Sequence, residues 1–284
     1  MCRFVLYVGP PIPIASLVVE PKNSLIHQSF QAREREEPLN GDGFGLAWYS
    51  DRAESEPPGL FRSTTPAWSN RNLVDLARML SSHCILAHVR AASHATEVAE
   101  ANCHPFRCGR YTMMHNGEIG GFPQVKRHLL AELSDASFQM IRGNTDSEHL
   151  FGLFLDSLPS RTDPLPVEAL AEALRTAIHR ARDLSERHGD SEASYLNIAV
   201  TDGRTAVVSR FTTDPASPGE SLHVLQGRSY VCDGGTTRTL FTETADEAVL
   251  VSSERLSDDR DWEEVPRNRL VVIDQWGGTS IEAI

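Results

Sequence analysis

No stretch of the 284 residues reaches the roughly 18 consecutive apolar positions that a membrane-spanning helix needs, so no membrane segment is expected. The apolar run Phe4 to Val8 is too short for a signal-peptide core, and Pro10, Pro11 and Pro13 break it at once. Basic residues are outnumbered. Twenty-seven Lys and Arg stand against 39 Asp and Glu, a formal net charge of -12, and no basic stripe interrupts the acidic balance. Nucleic-acid binding, which draws on such a stripe, is therefore not expected. The five cysteines are an odd number in a long chain, which suits a reducing compartment better than a disulfide framework and makes the cytoplasm the expected location. Cys103, His104 and Cys108 form a Cys-x4-Cys with one interposed His and no second pair, short of a tetrahedral ligand set, so no metal and no cofactor are expected. A Gly-x-Ser-x-Gly nucleophile elbow, internal repeats and low-complexity segments are all lacking.

What remains is the composition of a soluble globular protein, 40% hydrophobic and 23% charged, long enough to bury a substantial core without disulfide or metal staples. Strand-like segments stand at Arg3 to Gly9, Leu46 to Tyr49, Cys84 to Val89 and Tyr111 to Met114, and again at 195–201, 205–211, 221–226, 248–252 and 270–274. Asp202-Gly203 marks a tight hairpin between two of the later ones. Helical spacing occupies 70–80, 121–133, 145–158 and 167–188. Strands at both ends with helices grouped between them predict an α+β fold, with helices packed outside two stacked sheets. Residues 159–166 are linker-like, but a boundary there would leave the later strands few partners, so one domain spanning 1–284 is expected. The glycine-dense Asn40-Gly41-Asp42-Gly43-Phe44-Gly45 lacks the preceding strand and following helix of a phosphate loop, and reads as a place where backbone approaches backbone closely.

Chemistry gathers at strand ends. Removal of Met1 by an aminopeptidase would leave Cys2 first, and one residue would then hold both a thiol nucleophile and an α-amine whose reference pKa, about 7.7 to 8.0, suits a general base. Asn116-Gly117 follows a strand and sets a side-chain amide beside an unobstructed backbone N–H, the makings of an oxyanion hole; as a dipeptide alone it reads first as a hairpin turn. Arg90 ends a buried strand, where a guanidinium calls for a planar anionic partner, either a bound carboxylate or an acidic side chain of the protein. Ser93 or His94 is placed to complete such a carboxylate site. Asp146 sits in the first turn of a helix, within the capping box Thr145-x-x-Glu148, and is also suited to a substrate ammonium.

Met1-Cys2-Arg3-Phe4, Asn40 to Gly45, His88-Val89-Arg90-Ala91-Ala92-Ser93, Asn102-Cys103-His104-Pro105-Phe106, His115-Asn116-Gly117 and Thr145-Asp146-Ser147-Glu148 together, in order, resemble the class II glutamine amidotransferases, N-terminal-nucleophile (Ntn) hydrolases. Ser24 to Phe30, Pro66 to Asn70, Thr145 to Leu158 and Leu196 to Gly203 extend the likeness to about residue 275, toward the amidotransferase-like component of the DUG pathway of glutathione degradation. A sister group is the γ-glutamyl hydrolase of ergothioneine synthesis. One departure is Arg255, where the pattern usually has Pro.

The resemblance implies a four-layer αββα sandwich of two mainly antiparallel sheets. It implies that Cys2 attacks a γ-carbonyl, that Asn116 and Gly117 hold the oxyanion, that Arg90 binds the α-carboxylate, and that Asp146 binds the α-ammonium. Members that aminate a substrate carry a synthase domain, which this sequence does not show. The expected activity is therefore that of a stand-alone γ-glutamyl amide hydrolase acting on a thiol peptide such as glutathione, alone or in a hetero-complex with a peptidase or synthase subunit. Three alternatives stay open: a glutaminase feeding a separate synthase, a γ-glutamyl conjugate hydrolase of ergothioneine synthesis, and a non-catalytic subunit that keeps Met1 and binds a partner.

Overall fold

The computed structural model describes residues 2–34, 37–50, 57–92, 97–162, 164–227, 229–233, 236–240, 247–258 and 260–284. Its strands are β1 (Arg3–Pro13), β2 (Phe44–Trp48), β3 (Gly59–Ser63), β4 (Ser81–Val89), β5 (Phe106–Cys108), β6 (Tyr111–Glu118), β7 (Tyr195–Thr201), β8 (Ala206–Arg210), β9 (His223–Gly227), β10 (Ser229–Asp233), β11 (Thr236–Leu240), β12 (Ala248–Ser252), β13 (Glu263–Glu264), β14 (Arg269–Ile273) and β15 (Thr279–Ala283). The helices are α1 (Ala15–Val18), α2 (Leu25–Gln31), α3 (Arg71–Met79), α4 (Phe122–Glu132), α5 (Asp135–Met140), α6 (Asp146–Ser157) and α7 (Val167–His188).

One sheet runs β13-β9-β12-β1-β4-β2-β3 and the second β15-β14-β8-β7-β6-β5, while β10 and β11 form a separate hairpin. Neighbouring strands pair antiparallel throughout, and the sheets are flanked by helices in an αββα sandwich. β1 explains how the layers hold. Its run Phe4-Val5-Leu6-Tyr7-Val8 is apolar on both faces, the pattern of a strand buried on both sides. Alternation sends Phe4, Leu6 and Val8 into the core between the sheets, with Leu86, Met114, Val208 and Val271. Val5 and Tyr7 point the other way, into the layer under α1, α2 and α3 with Leu17, Leu25 and Leu73. On the far side of the second sheet, α4, α6 and α7 bury Val125, Leu129, Phe151, Phe154, Leu174 and Ile178 against β6 and β7.

Val5 lies between Ala87 of β4 and Ser252 of β12, so distant parts of the sequence close one sheet around the first strand. The close approach expected of the glycine-dense stretch occurs at Gly45. A Cβ there would lie 2.2 Å from the carbonyl oxygen of His104, so the loop bearing His104 rests directly on β2. The sequence reads as a polar, proline-bearing loop from Asp51 to Pro58, of which residues 51–56 lie outside the described residues.

Candidate active site

Cys2, Arg90, His104, Gly117, Glu118 and Asp146 open onto one cavity of about 670 Å³, within the range of small-molecule sites. Cys2 stands at the start of β1, half-buried, its Sγ 3.6 Å from the Ala91 carbonyl. Continuing the alternation of β1 puts it on the Phe4 side, between the sheets. Arg3 pairs with Val89, so Arg90 lies one step past the end of β4, beside Cys2.

The backbone of Arg90 is held on both sides, its N–H donating to Gly43 O (2.8 Å) and its carbonyl accepting from Asp42 N–H (2.9 Å). Its buried guanidinium donates through Nη1 to Asp42 O at 3.4 Å, and the Asp42 carboxylate accepts from Ala92 N–H at 2.8 Å. The turn 90–92 is thus fixed by residues of the glycine-dense loop. Ser93 and His94, the candidates to complete the carboxylate site, lie outside the described residues.

Asn116 and Gly117 differ from the sequence expectation. Both lie inside β6 rather than after it, opposite Asn197 and Leu196 of β7. Gly117 has φ +144°, and a Cβ there would fall 1.8 Å from the Tyr195 carbonyl oxygen, so only glycine is accommodated. The Asn116 side chain is fully buried, yet neither its Oδ1 nor its Nδ2 has a hydrogen-bond partner. A buried unpaired amide costs about 1–3 kcal/mol, which makes it a donor awaiting an acceptor.

Asp146 caps the junction of two elements. Its Oδ2 accepts from Ile119 N–H (2.8 Å), just beyond β6, and its Oδ1 from Ser147 N–H (2.8 Å) and Ser147 Oγ (3.2 Å). The capping box is only half formed. Thr145 Oγ1 accepts from Glu148 N–H at 3.2 Å, but the Glu148 carboxylate turns to the N–H groups of Arg142 and Gly143 (3.0 and 2.6 Å). His115 locks the same corner through Nδ1 to Ser147 Oγ (2.9 Å) and Nε2 to Tyr195 O (3.1 Å).

Two groups that sequence reasoning assigned no part in the site also face it. His104 belongs to a ring stack with His88, centroids 4.2 Å apart; it is buried and neither ring nitrogen has a partner. Glu118 is the second. Partial desolvation against the cavity wall, reinforced by Asp146 and Glu192, raises its carboxyl above the ordinary range although the residue reaches solvent. Among the described residues no three His, Cys, Asp or Glu side chains gather as a metal site, and Cys103 instead donates to the Ser63 and Ala99 carbonyls.

Burial pushes His88 down to about 3 and takes His104 and His115 below the ordinary imidazole range. The folded chain keeps them neutral while the unfolded chain protonates them below about pH 6.5, so unfolding takes up protons there. Their contribution is fully present above pH 6.5 and is lost as pH falls below it; for His88 the loss runs at about 1.4 kcal/mol per unit down toward pH 3. Glu118 and Glu148, raised by desolvation, act in the opposite sense closer to the carboxylate range, so the histidine effect is cleanest between pH 6.5 and 5. Urea midpoints should therefore fall from pH 7.5 to 5.5; equal midpoints would contradict neutral burial of the three rings.

Residues 16–282 match the family model described as glutamine amidotransferases class-II. The chain belongs to the class II glutamine amidotransferases. Family membership makes it an enzyme of the amidohydrolase kind. Probable glutamine amidotransferase DUG3 of Saccharomyces cerevisiae is 40% identical over 292 residues, covering 96% of this chain and 82% of that protein. The gamma-glutamyl-hercynylcysteine sulfoxide hydrolase of Mycolicibacterium smegmatis is 33% identical over 120 residues, 42% of this chain and 52% of that one. A solved class II domain protein from Silicibacter pomeroyi superposes with a TM-score of 0.66 at 28% identity, covering 99% of both chains. In this amidotransferase no helix among the described residues is long and apolar enough to cross a membrane.

Proposed function

We propose that this amidotransferase is a γ-glutamyl amide hydrolase whose nucleophile is Cys2 after removal of Met1, with glutathione as substrate and the cytoplasm as its place of work. The observation that carries the reading is that Cys2, Gly117, a buried arginine and an aspartate share one cavity. A γ-glutamyl group carries one carboxylate and one ammonium on its α-carbon, and its scissile amide lies two methylenes away. Arg90 and Asp146 match the first two, and Cys2 the third. The chain serves as one domain in this reading, because both halves of the sequence build the sheet around β1.

The α-amine of Cys2 takes the thiol proton through a bridging water, since direct transfer would pass through a strained five-membered ring. The thiolate adds to the γ-carbonyl carbon, and the oxyanion is held by Asn116 Nδ2 and the Gly117 N–H. The ammonium returns its proton to the leaving amine as the C–N bond breaks, which leaves a γ-glutamyl thioester. Water, deprotonated by the same amine, then adds to the thioester and releases glutamate and the free thiol. Asn116→Ala removes one of the two donors, and kcat is expected to fall by about 10² to 10³, with KM changed far less.

The glutathione assignment draws on the likeness to the DUG-pathway component. The partial match to the γ-glutamyl conjugate hydrolase favours the γ-glutamyl class as a whole. A partner subunit draws no support from the comparisons, and the reaction requires none. The test is glutamate release by Met1-processed protein from glutathione, from glutamine and from a γ-glutamyl sulfoxide conjugate. The proposal expects the highest kcat/KM with glutathione. Preference for glutamine or for the conjugate would move the assignment to the corresponding alternative, and release from none would end the hydrolase reading.

A further inference from the structure

The sequence reading gave Arg3 and Glu254 no role, yet they form a buried ion pair with many further hydrogen bonds next to Cys2. Both side chains are essentially without solvent exposure, and Arg3 Nε donates to Glu254 Oε1 at 2.8 Å. The remaining fork of Arg3 reaches outward, Nη1 to the Cys2 carbonyl (2.9 Å) and Nη2 to the Glu34 carbonyl (3.1 Å), with Glu220 Oε2 3.5 Å from Nη1. Glu254 also accepts from the backbone N–H groups of Arg33 (3.0 Å) and Glu34 (3.1 Å) and from Asn23 Nδ2 (3.4 Å). One residue on, Phe4 N–H donates to Ser253 Oγ (3.1 Å) and Phe4 O accepts from Ser253 N–H (3.0 Å). The pair therefore ties the start of β1, the segment at 33–34 and the turn after β12 into one unit. Arg255, the position that departs from the family pattern, is exposed, and its carbonyl accepts from Asn23 Nδ2 at 2.8 Å.

A buried ion pair is a poor stabiliser, because desolvation offsets most of the attraction and apolar side chains of like volume often do as well or better. Its geometry points to another purpose. A residue at the head of a chain has no preceding peptide to hold it, so its own carbonyl is the backbone group through which its Cα can be fixed. Arg3 grips that carbonyl, and Glu254 fixes Arg3. Resting on the reading of Cys2 as nucleophile, we propose that Arg3 and Glu254 are positioning residues, which hold the Cys2 carbonyl so that thiol and amine keep their placement toward the donors on β6. Lysine cannot replace Arg3, because a single ammonium does not span the Glu254 carboxylate and two carbonyls at once.

The test uses the full Met1-processed chain carrying Arg3→Met together with Glu254→Leu, which removes both charges and preserves bulk. The double variant should unfold at a lower temperature than the unaltered protein, because the N–H groups of Arg33 and Glu34 and the Asn23 amide lose their acceptor, so turnover is read well below its unfolding midpoint. It should keep KM for glutathione within about threefold, since Arg90 and Asp146 are untouched, and lose about 100-fold in kcat, the size of effect expected for a displacement of ~1 Å. Unchanged kcat in the folded double variant overturns the proposal. If the double variant does not fold, Arg3→Lys serves instead, with a loss of 10-fold or more in kcat at constant KM expected and an unchanged kcat decisive against. Crystal structures of the unaltered and variant proteins supply a readout that needs no substrate. Cys2 should be displaced or spread over several conformers in the variant, and an unmoved Cys2 overturns the proposal even if the unaltered protein hydrolyses no γ-glutamyl amide.

Discussion

Cys2→Ala should abolish hydrolysis of γ-glutamyl amides, with kcat falling by a factor on the order of 10⁵ to 10⁶, while a γ-glutamyl ligand still binds. The substitution removes the only atom that forms a bond to the substrate, but leaves Arg90 and Asp146 lining the cavity. Stability should change little, because Cys2 is half-buried and its thiol lies a long 3.6 Å from the Ala91 carbonyl. A protein with an uncleaved peptide ahead of Met1 should be equally inactive although it retains the sulfur, since its Cys2 nitrogen is then an amide with no basic lone pair. The two losses arise from different atoms of one residue. Isothermal titration with the product glutamate, beside turnover assays, separates binding from chemistry. Substantial turnover by Cys2→Ala would show that the nucleophile lies elsewhere.

Arg90→Met should reduce kcat/KM by about 10² to 10³, most of it through KM. Truncating one partner of a buried, hydrogen-bonded charge pair costs about 2–5 kcal/mol, and the α-carboxylate is held in the ground state and the transition state alike. Arg90→Lys should recover only part of the loss, since an ammonium cannot match the two oxygens of a carboxylate as a guanidinium does. The internal control is a substrate whose α-carboxylate is replaced by a neutral amide. The unaltered protein should treat it as poorly as Arg90→Met treats glutathione, and the variant should discriminate little between the two. If Arg90→Met loses kcat with KM intact, or keeps its preference for the free carboxylate, Arg90 does not hold that group.

Much of this arrangement was legible in the residue order because it rests on short-range pattern. β1 is announced by five consecutive apolar residues, although it runs past the expected end at Gly9 and through the prolines to Pro13, and α7 by helical spacing that matches the observed limits Val167–His188. Both strands around Asp202-Gly203 appeared within a residue of their limits. Arg90, Gly117 and Asp146 stood out because each residue type sits at an element end or beside a special backbone requirement. Other parts depend on partners far away in sequence. The Asn116-Gly117 pair looks like a turn until β7, some 80 residues later, proves to continue the ladder past it. The partnership of Arg3 with Glu254 spans 251 positions, and nothing local to either residue signals it. The elements missed altogether are short or lie at edges. β3 is half-buried along its length and β15 largely exposed, so neither carries an alternation strong enough to read. α1 is four residues long with no side-chain cap, and packing alone makes it a helix.

The proposal that one terminal residue supplies both nucleophile and base is tested most directly by mass spectrometry of the N-terminal peptide after an acid quench during turnover of glutathione. It predicts a peptide beginning at Cys2, a fraction of which carries a γ-glutamyl thioester on that residue. An active protein that still begins with Met1, or an acyl group on any other side chain, would contradict it.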